Sequence, residues 1–407
     1  MTVLHRLLRH AVAAALMTLG VAAHADTITD WNVKANEILS AARVGPPPAN
    51  RAMAIAHVAV FDAVNAITGR YPAAGRVVID AASGASVDAA VAAAMRGTLG
   101  KLFAAQQAEF DTAYRAAMAT VPDGAAKDGG IAVGEKAAAA ILASRGGDGA
   151  TSPDGYRPFT QAGAYVPTTV PAVPHWGRRK PWVMTSGEQF RPGPPPALSS
   201  AVWARDYNEV KALGAKDGSQ RSAAQTEIAR FWEATLPVIY HPLVRALALQ
   251  PGRDVTQNAR LMAAACMAMD DALIAVFDAK YAYNIRRPMT AIRNGDQDGN
   301  DATERDALWT PLIDTPMHPE YPCAHCIVSS ALGAVLQAEI GNGSTPRLAT
   351  TSPTLPGVTR TWTSLADFTQ EVANARIYDG VHFRNSTEVG SAMGRKVGEL
   401  VASKMLR

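Results

Sequence analysis

The chain has 407 residues, 48% of them hydrophobic and 18% charged, with a formal net charge of +3. That length is enough to bury a large core as one big domain or two closely packed ones. A surface so near balance gives no electrostatic case for DNA, RNA or anionic lipid as the main partner, and three cysteines are too few for a disulfide scaffold.

Residues 1–25 combine Arg6 and Arg9 with an apolar run from Ala11 to Ala23 and an Ala23-His24-Ala25 ending. This is the layout of a secretory signal peptide, and its apolar run is short for a membrane span. The mature chain is then expected to begin near Asp26 and to be periplasmic or secreted, with a formal charge of about +1 because the leader carries two arginines and no acids. No later apolar segment reads as long and unbroken enough to cross a membrane. Export would make a Cys323–Cys326 disulfide chemically accessible.

Beyond the leader, apolar residues return at intervals of three and four, and strand-like alternation is scarce. The pattern predicts helices over 49–67, 87–103, 109–119, 133–144, 199–213, 222–235, 255–278, 326–340, 364–378 and 388–403. The protein therefore reads as all-α. Between Gly146 and Pro196 the density of proline and glycine forbids a regular helix. Trp176 and Trp182 argue against a free linker, so this stretch is expected to be an ordered belt lying over the helices and shaping a site mouth. The chain divides into an N-terminal helical region with this belt, 26–198, and a catalytic helical bundle, 199–407. A second irregular region spans 294–322, where loops on a rigid frame favour substrate contacts.

Three segments carry candidate chemistry. In KYAYNIRRP, Lys280 and Arg287 are seven apart, nearly two turns on a continuing helix, so both cationic heads can face one site before Pro288 ends or kinks it. In EYPCAHCIVSS, Pro322 precedes a helical pattern starting near Ala324, whose first-turn N–H groups form a seat for an anion beside His325. In ARIYDGVHFRN, a bend at Gly380 could turn Arg376 and His382 inward together. Each segment alone has an ordinary reading as a solvated face, a structural histidine or a helix cap. Together they offer three cations, a helix N-terminus and two histidines, which suits a tetrahedral oxyanion such as phosphate or vanadate. One imidazole can approach the central atom while the other handles protons.

These blocks resemble the superfamily of vanadium-dependent haloperoxidases and type 2 phosphatidic acid phosphatases. The family pattern runs Lys, six residues, Arg-Pro; then Pro-Ser-Gly-His; then Ser-Arg, five residues, His. Here it stands as Lys280 and Arg287-Pro288, then Pro322-Cys323-Ala324-His325, then Ala375-Arg376 and His382. The stretch RAMAIAHVAVFDAVNAI from Arg51 and the PHWG segment also look like the soluble, exported bacterial branch. The resemblance implies a large helical protein around a four-helix bundle, without the spans of the lipid phosphatases. It implies that Lys280, Arg287 and Arg376 bind the oxyanion's oxygens, together with the Ala324 N–H. It further implies that His382 ligates vanadium or attacks phosphorus, and that His325 is the acid-base residue.

Three departures accompany the resemblance. Cys323 replaces the usual serine, exchanging a hydroxyl donor for a weak S–H. Ala375 replaces the serine before Arg376. Ser386 stands where many relatives have an aspartate that orients the ligating histidine, a role Glu388 or Asp379 would have to take. The Cys-x-x-Cys spacing does not fit other chemistries well. A thioredoxin-like site wants a preceding strand, haem c attachment wants histidine where Ile327 stands, and zinc wants a second cysteine pair. A Cys323–Cys326 disulfide is left open.

The first functional expectation is a vanadate enzyme that uses hydrogen peroxide to oxidise bromide or iodide, favoured by His318 because bromide-oxidising relatives are similar in having a histidine seven residues before the acid-base one. The alternative is an exported acid phosphatase acting on small phosphate esters through a phosphohistidine at His382. A third is a noncatalytic phosphate- or vanadate-binding protein. The exposure of Phe277 and His318 cannot be read from sequence.

Overall fold

The computed structural model describes residues 26–72 and 78–407; the expected leader lies outside them. The first eight helices are α1 (Thr27–Ala41), α2 (Pro46–Thr68), α3 (Val87–Leu102), α4 (Gln107–Met118), α5 (Ala125–Arg145), α6 (Ala201–Leu213), α7 (Ala223–Phe231) and α8 (Pro237–Ala248). Then come α9 (Val255–Tyr283), α10 (Pro288–Arg293) and α11 (Ala324–Ile340). An antiparallel hairpin of β1 (Leu348–Ser352) and β2 (Leu355–Trp362) precedes α12 (Leu365–Tyr378) and α13 (Arg384–Met405). The all-α expectation holds, with this one hairpin as the described sheet.

The longest helix, α9, organises the rest. It starts at a reciprocal capping box between Asp254 and Gln257 and is buried on nearly every face, as its run of small and apolar side chains requires. On one side α2 packs on it and in turn meets α3 and α5; on the other, α11 and α13 pack on α9 and on each other, with α12 against both. One apolar core runs from Ile28 to Met405 through both regions. The close approach of α11 and α13 depends on small residues: a Cβ at Gly394 would lie 2.3 Å from the Ile327 carbonyl oxygen.

Helix α2 corrects one expectation. By length and apolar composition it could cross a membrane, with a mean hydropathy of 1.2, yet 67% of that apolar stretch is buried against the rest of the protein. It serves as a core helix.

Three helices escape the sequence reading, α1, α8 and the short α10. Helix α8 has Pro237 in its first turn and Pro242 inside, which disguised it. The helix expected over 222–235 stops at Phe231, and residues 232–236 form a turn before α8.

The belt is ordered as expected. Buried Arg179 binds Asp270 of α9 at 2.8 Å and Asp148 at 2.8 Å, while Arg51 of α2 reaches the same Asp148. Trp182 donates its indole N–H to Asp270, and the backbone N–H groups of Trp182, Val183 and Met184 converge on Asp271. Farther along, Tyr165 N–H donates to Asn284, Arg286 N–H to Gly163 and Ala172 N–H to Met317. These bonds tie the belt to the segments carrying Arg287 and His318.

Candidate active site

Lys280 lies in the last turn of α9, fully buried, and its Nζ donates to the carbonyls of Pro319 at 2.9 Å and Glu320 at 2.8 Å. The continuing helix expected from the Lys280–Arg287 spacing is not formed. Asn284 takes a left-handed conformation, φ 52°, and ends α9; Arg287 becomes the cap of α10, with Pro288 at its first position. The turn nevertheless delivers Arg287 to the same pocket, and its positive charge helps lower the Lys280 pKa, an effect second to burial.

Arg287 is a hub. Its Nε donates to the His318 carbonyl at 2.8 Å, and one terminal nitrogen reaches the Val381 carbonyl at 2.8 Å and His382 Nε2 at 3.2 Å. The other terminal nitrogen meets His318 Nδ1 at 2.9 Å. A guanidinium only donates, so Nε2 of His382 is an acceptor, while Nδ1 of His318 lies between this donor and the Pro319 carbonyl at 3.2 Å. The arginine thereby sets the tautomer of His382, whose proton is on Nδ1. His318 is half-buried with its ring edge-on to buried Phe277, centroids 5.2 Å apart.

The Nδ1–H of His382 donates to Oε1 of Glu320 at 2.7 Å, and the same oxygen accepts the Phe383 backbone N–H at 3.0 Å. This answers the missing aspartate and corrects the candidates proposed for its role. Glu388 is exposed to solvent, and Asp379 is engaged with Arg376 at 2.7 Å. Ser386 contributes a longer contact to His382 Nδ1, 3.3 Å. Sequence reasoning missed Glu320, whose one signal was its position just upstream of His325.

Arg376 is fully buried near the end of α12 and donates to the Trp232 carbonyl at 2.7 Å. That carbonyl is available because α7 has just ended. The bend expected at Gly380 is present, with φ 83°; a Cβ there would meet the Gly214 carbonyl oxygen at 2.4 Å. The turn folds back so that His382 N–H donates to the Arg376 carbonyl at 3.1 Å. Both side chains thus reach the site.

Cys323 caps α11, its Sγ accepting the Cys326 N–H at 3.2 Å, and Ala324 is buried in the first turn. The open cysteine question closes in favour of a Cys323–Cys326 disulfide. His325, 7% exposed, has an Nε2 atom with no partner, and the Nε of Arg376 is likewise buried without one. Buried polar atoms are rarely left unpaired, so these two mark where a polar ligand would sit.

Burial, reinforced by the neighbouring cations, holds His382, His325 and His318 well below the usual imidazole range, so all three are neutral. Burial pushes the carboxyls of Glu320 and Asp379 up to about 7 against the pull of Lys280, Arg287 and Arg376. Among the described residues, no group of three His, Cys, Asp or Glu side chains is placed to chelate a metal cation. The donor set is cationic N–H groups, two neutral imidazoles and a helix N-terminus, which fits an oxyanion.

Residues 260–407 match the family model described as the VCPO second helical-bundle domain. The fold is similar to the solved structure of the first bacterial vanadium-dependent iodoperoxidase, with a TM-score of 0.79 and 25% identity over 93% of this chain and 96% of that one. It is also similar to an apo-type bacterial vanadium-dependent chloroperoxidase, with a TM-score of 0.71 and 19% identity over 89% of this chain and 94% of the other. A holo-type bacterial chloroperoxidase gives 0.68 and 18% over 89% and 93%. No curated protein sequence matches. Residues 260–407 thus carry the three motif blocks, which converge in one buried pocket of a fold shared with bacterial vanadium-dependent haloperoxidases.

Proposed function

We propose that the protein is a vanadate-dependent haloperoxidase that oxidises bromide or iodide with hydrogen peroxide. The observation that carries the reading is the His382 dyad within its ring of cations: Glu320 holds Nδ1–H, so the Nε2 lone pair faces the same buried pocket as Arg287. The similar solved structures, an iodoperoxidase and a chloroperoxidase, support the same class.

Lys280, Arg287 and Arg376 would hold vanadate through its oxygens, with the first-turn N–H of Ala324, and His382 Nε2 would be its one protein ligand, giving up the hydrogen bond it accepts from Arg287. When bound, vanadate supplies a Lewis-acidic centre that polarises the peroxide O–O bond toward halide attack. The residues of the chain do the rest. Glu320 keeps the His382 ring in one orientation and tautomer and raises its basicity. The cations offset the negative charge of the bound group in a water-poor pocket where each such contact is strengthened. His325, neutral and with Nε2 free, would take a proton from incoming hydrogen peroxide and return it to the departing oxygen.

An exported location belongs to the same proposal and rests on residues 1–25 alone. Metal-free protein loaded with orthovanadate should brominate or iodinate a phenol when peroxide is added, and unloaded protein should not. Release of p-nitrophenol from its phosphate ester, inhibited by vanadate and without any halogenation, would assign the pocket to phosphate-ester hydrolysis instead.

A further inference from the structure

Peroxide chemistry beside a pair of cysteines raises a question the function above does not address. Cys323 and Cys326 flank His325 in the first turn of α11, and both are fully buried. Cys323 occupies the capping position, where the N–H of Cys326 points at its sulfur from 3.2 Å. As a disulfide, neither sulfur carries a proton, so at the α11 N-terminus the Cys323 side chain adds no donor to the backbone N–H groups beside His325. As a thiol, Cys323 would offer one S–H donor at the mouth of the helix N-terminus.

We propose that Cys323 and Cys326 are a peroxide-responsive thiol–disulfide couple that sets oxyanion affinity: reduction adds a donor to the seat and tightens it, and oxidation withdraws the donor. The peroxide class of oxidant comes from the haloperoxidase reading, on which this part of the inference rests. The thiolate of Cys323, stabilised by the Cys326 N–H and the helix N-terminus, attacks one peroxide oxygen. The O–O bond breaks, hydroxide leaves and takes up the proton from the thiol as water, and Cys323 becomes a sulfenic acid. The sulfur of Cys326 then attacks the Cys323 sulfur, the S–O bond breaks, and a second water departs carrying the remaining thiol proton. Two thiols and one hydrogen peroxide thus give one disulfide and two waters, each sulfur losing one electron and each peroxide oxygen gaining one. A small dithiol reverses the reaction. Pairing also stops oxidation at a reversible level, where a lone thiol beside a peroxide site would proceed to sulfinic acid.

The test uses metal-free full-length protein and inorganic phosphate, a tetrahedral oxyanion that reductants leave intact. Calorimetry would compare phosphate affinity of the disulfide form, the dithiol-reduced form and Cys326→Ala, in which Cys323 stays a thiol. Alkylation after denaturation counts thiols: Cys266 alone in the disulfide form, and both site cysteines as well after reduction. The reduced protein and Cys326→Ala should each bind phosphate roughly threefold to tenfold more tightly than the disulfide form, the worth of one weak hydrogen bond. One equivalent of hydrogen peroxide should return the reduced protein to the weaker affinity, with both site thiols lost together. If Cys326→Ala does not fold, Cys326→Ser serves the same comparison. Equal affinity in both redox states, or peroxide treatment that leaves the two thiols uncoupled, would overturn the proposal. Phosphate binding needs no turnover, so redox-dependent affinity without halide oxidation would count against the haloperoxidase reading alone.

Discussion

Nδ1 of His382 and Oε1 of Glu320 stand 2.7 Å apart in a fully buried pair, although 62 residues separate them in the chain. Because Arg287 occupies the opposite ring nitrogen as a donor, the proton between His382 and Glu320 belongs to the imidazole. Removing the carboxylate should therefore free the ring to rotate and to change tautomer. Glu320→Ala is expected to weaken vanadate binding about 10- to 100-fold, the usual cost of losing such a supporting partner. Glu320→Gln, which keeps an acceptor and loses the charge, should fall in between. Equilibrium dialysis of the metal-free variants measures both.

Arg287→Lys tests the hub. A lysine cannot reach His318, Val381 and the bound oxyanion at once, so the variant should lose charged hydrogen bonds of about 1.5–3 kcal/mol each. Phosphate affinity should drop on the order of 100-fold. Imidazole nitrogen shifts in NMR should change at both His318 and His382, since each loses its contact with the guanidinium.

Away from the site, His57 and His241 share the side chain of Asn32, at 2.9 and 2.8 Å, inside the core. Burial lowers His57 to about 3 and His241 well below the usual range. For a depressed histidine the unfolded chain binds protons first, so stability is present above the unfolded pKa near 6.5 and is lost as pH falls below it. Glu320 and Asp379, raised to about 7, act in the opposite sense: their protonation favours the folded state as pH falls from 7. The His57 contribution is isolated by comparing the protein with His57→Gln. Between pH 7 and pH 5 the native protein should lose about 2 kcal/mol more than the variant, whatever their absolute stabilities. Denaturant melts at the two pH values supply the comparison.

The belt clamp makes a separate prediction. Asp270→Ala strips Arg179 of one of its two buried carboxylates and Trp182 of its acceptor. Stability should fall by about 3–5 kcal/mol, the cost of breaking a buried pair from one side. Phosphate affinity of the folded fraction should change much less, since none of the oxyanion contacts comes from this cluster.

The site was legible in sequence wherever chemistry is carried by spacing within one segment. Lys280 with Arg287, Pro322 to His325, and Arg376 with His382 each appear as a local pattern, and the fold brings all three together. The geometry within the first pattern was not legible, because a single left-handed residue, Asn284, ends the helix that the spacing invites. Glu320 was illegible for a different reason: an acid in an irregular loop gives no periodic signal, and its partner is fixed only by tertiary packing. The carbonyl that receives Arg376 was hidden in the same way, inside a helix expected to run through Trp232 to Thr235. Helix α8 was masked by Pro242, whose cost within a helix is offset here by packing of buried Ile239, Tyr240, Leu243 and Val244. The repeated three-and-four spacing of alanine-rich helices, by contrast, made the all-α class plain.

The most direct test of the account is a titration of metal-free protein with orthovanadate, followed by bromide or iodide oxidation at fixed peroxide, alongside His382→Ala. Activity should rise with vanadate and saturate at one equivalent per chain. The His382→Ala variant should fold, with that rise abolished. Halide oxidation independent of vanadate, or undiminished in His382→Ala, would contradict the account.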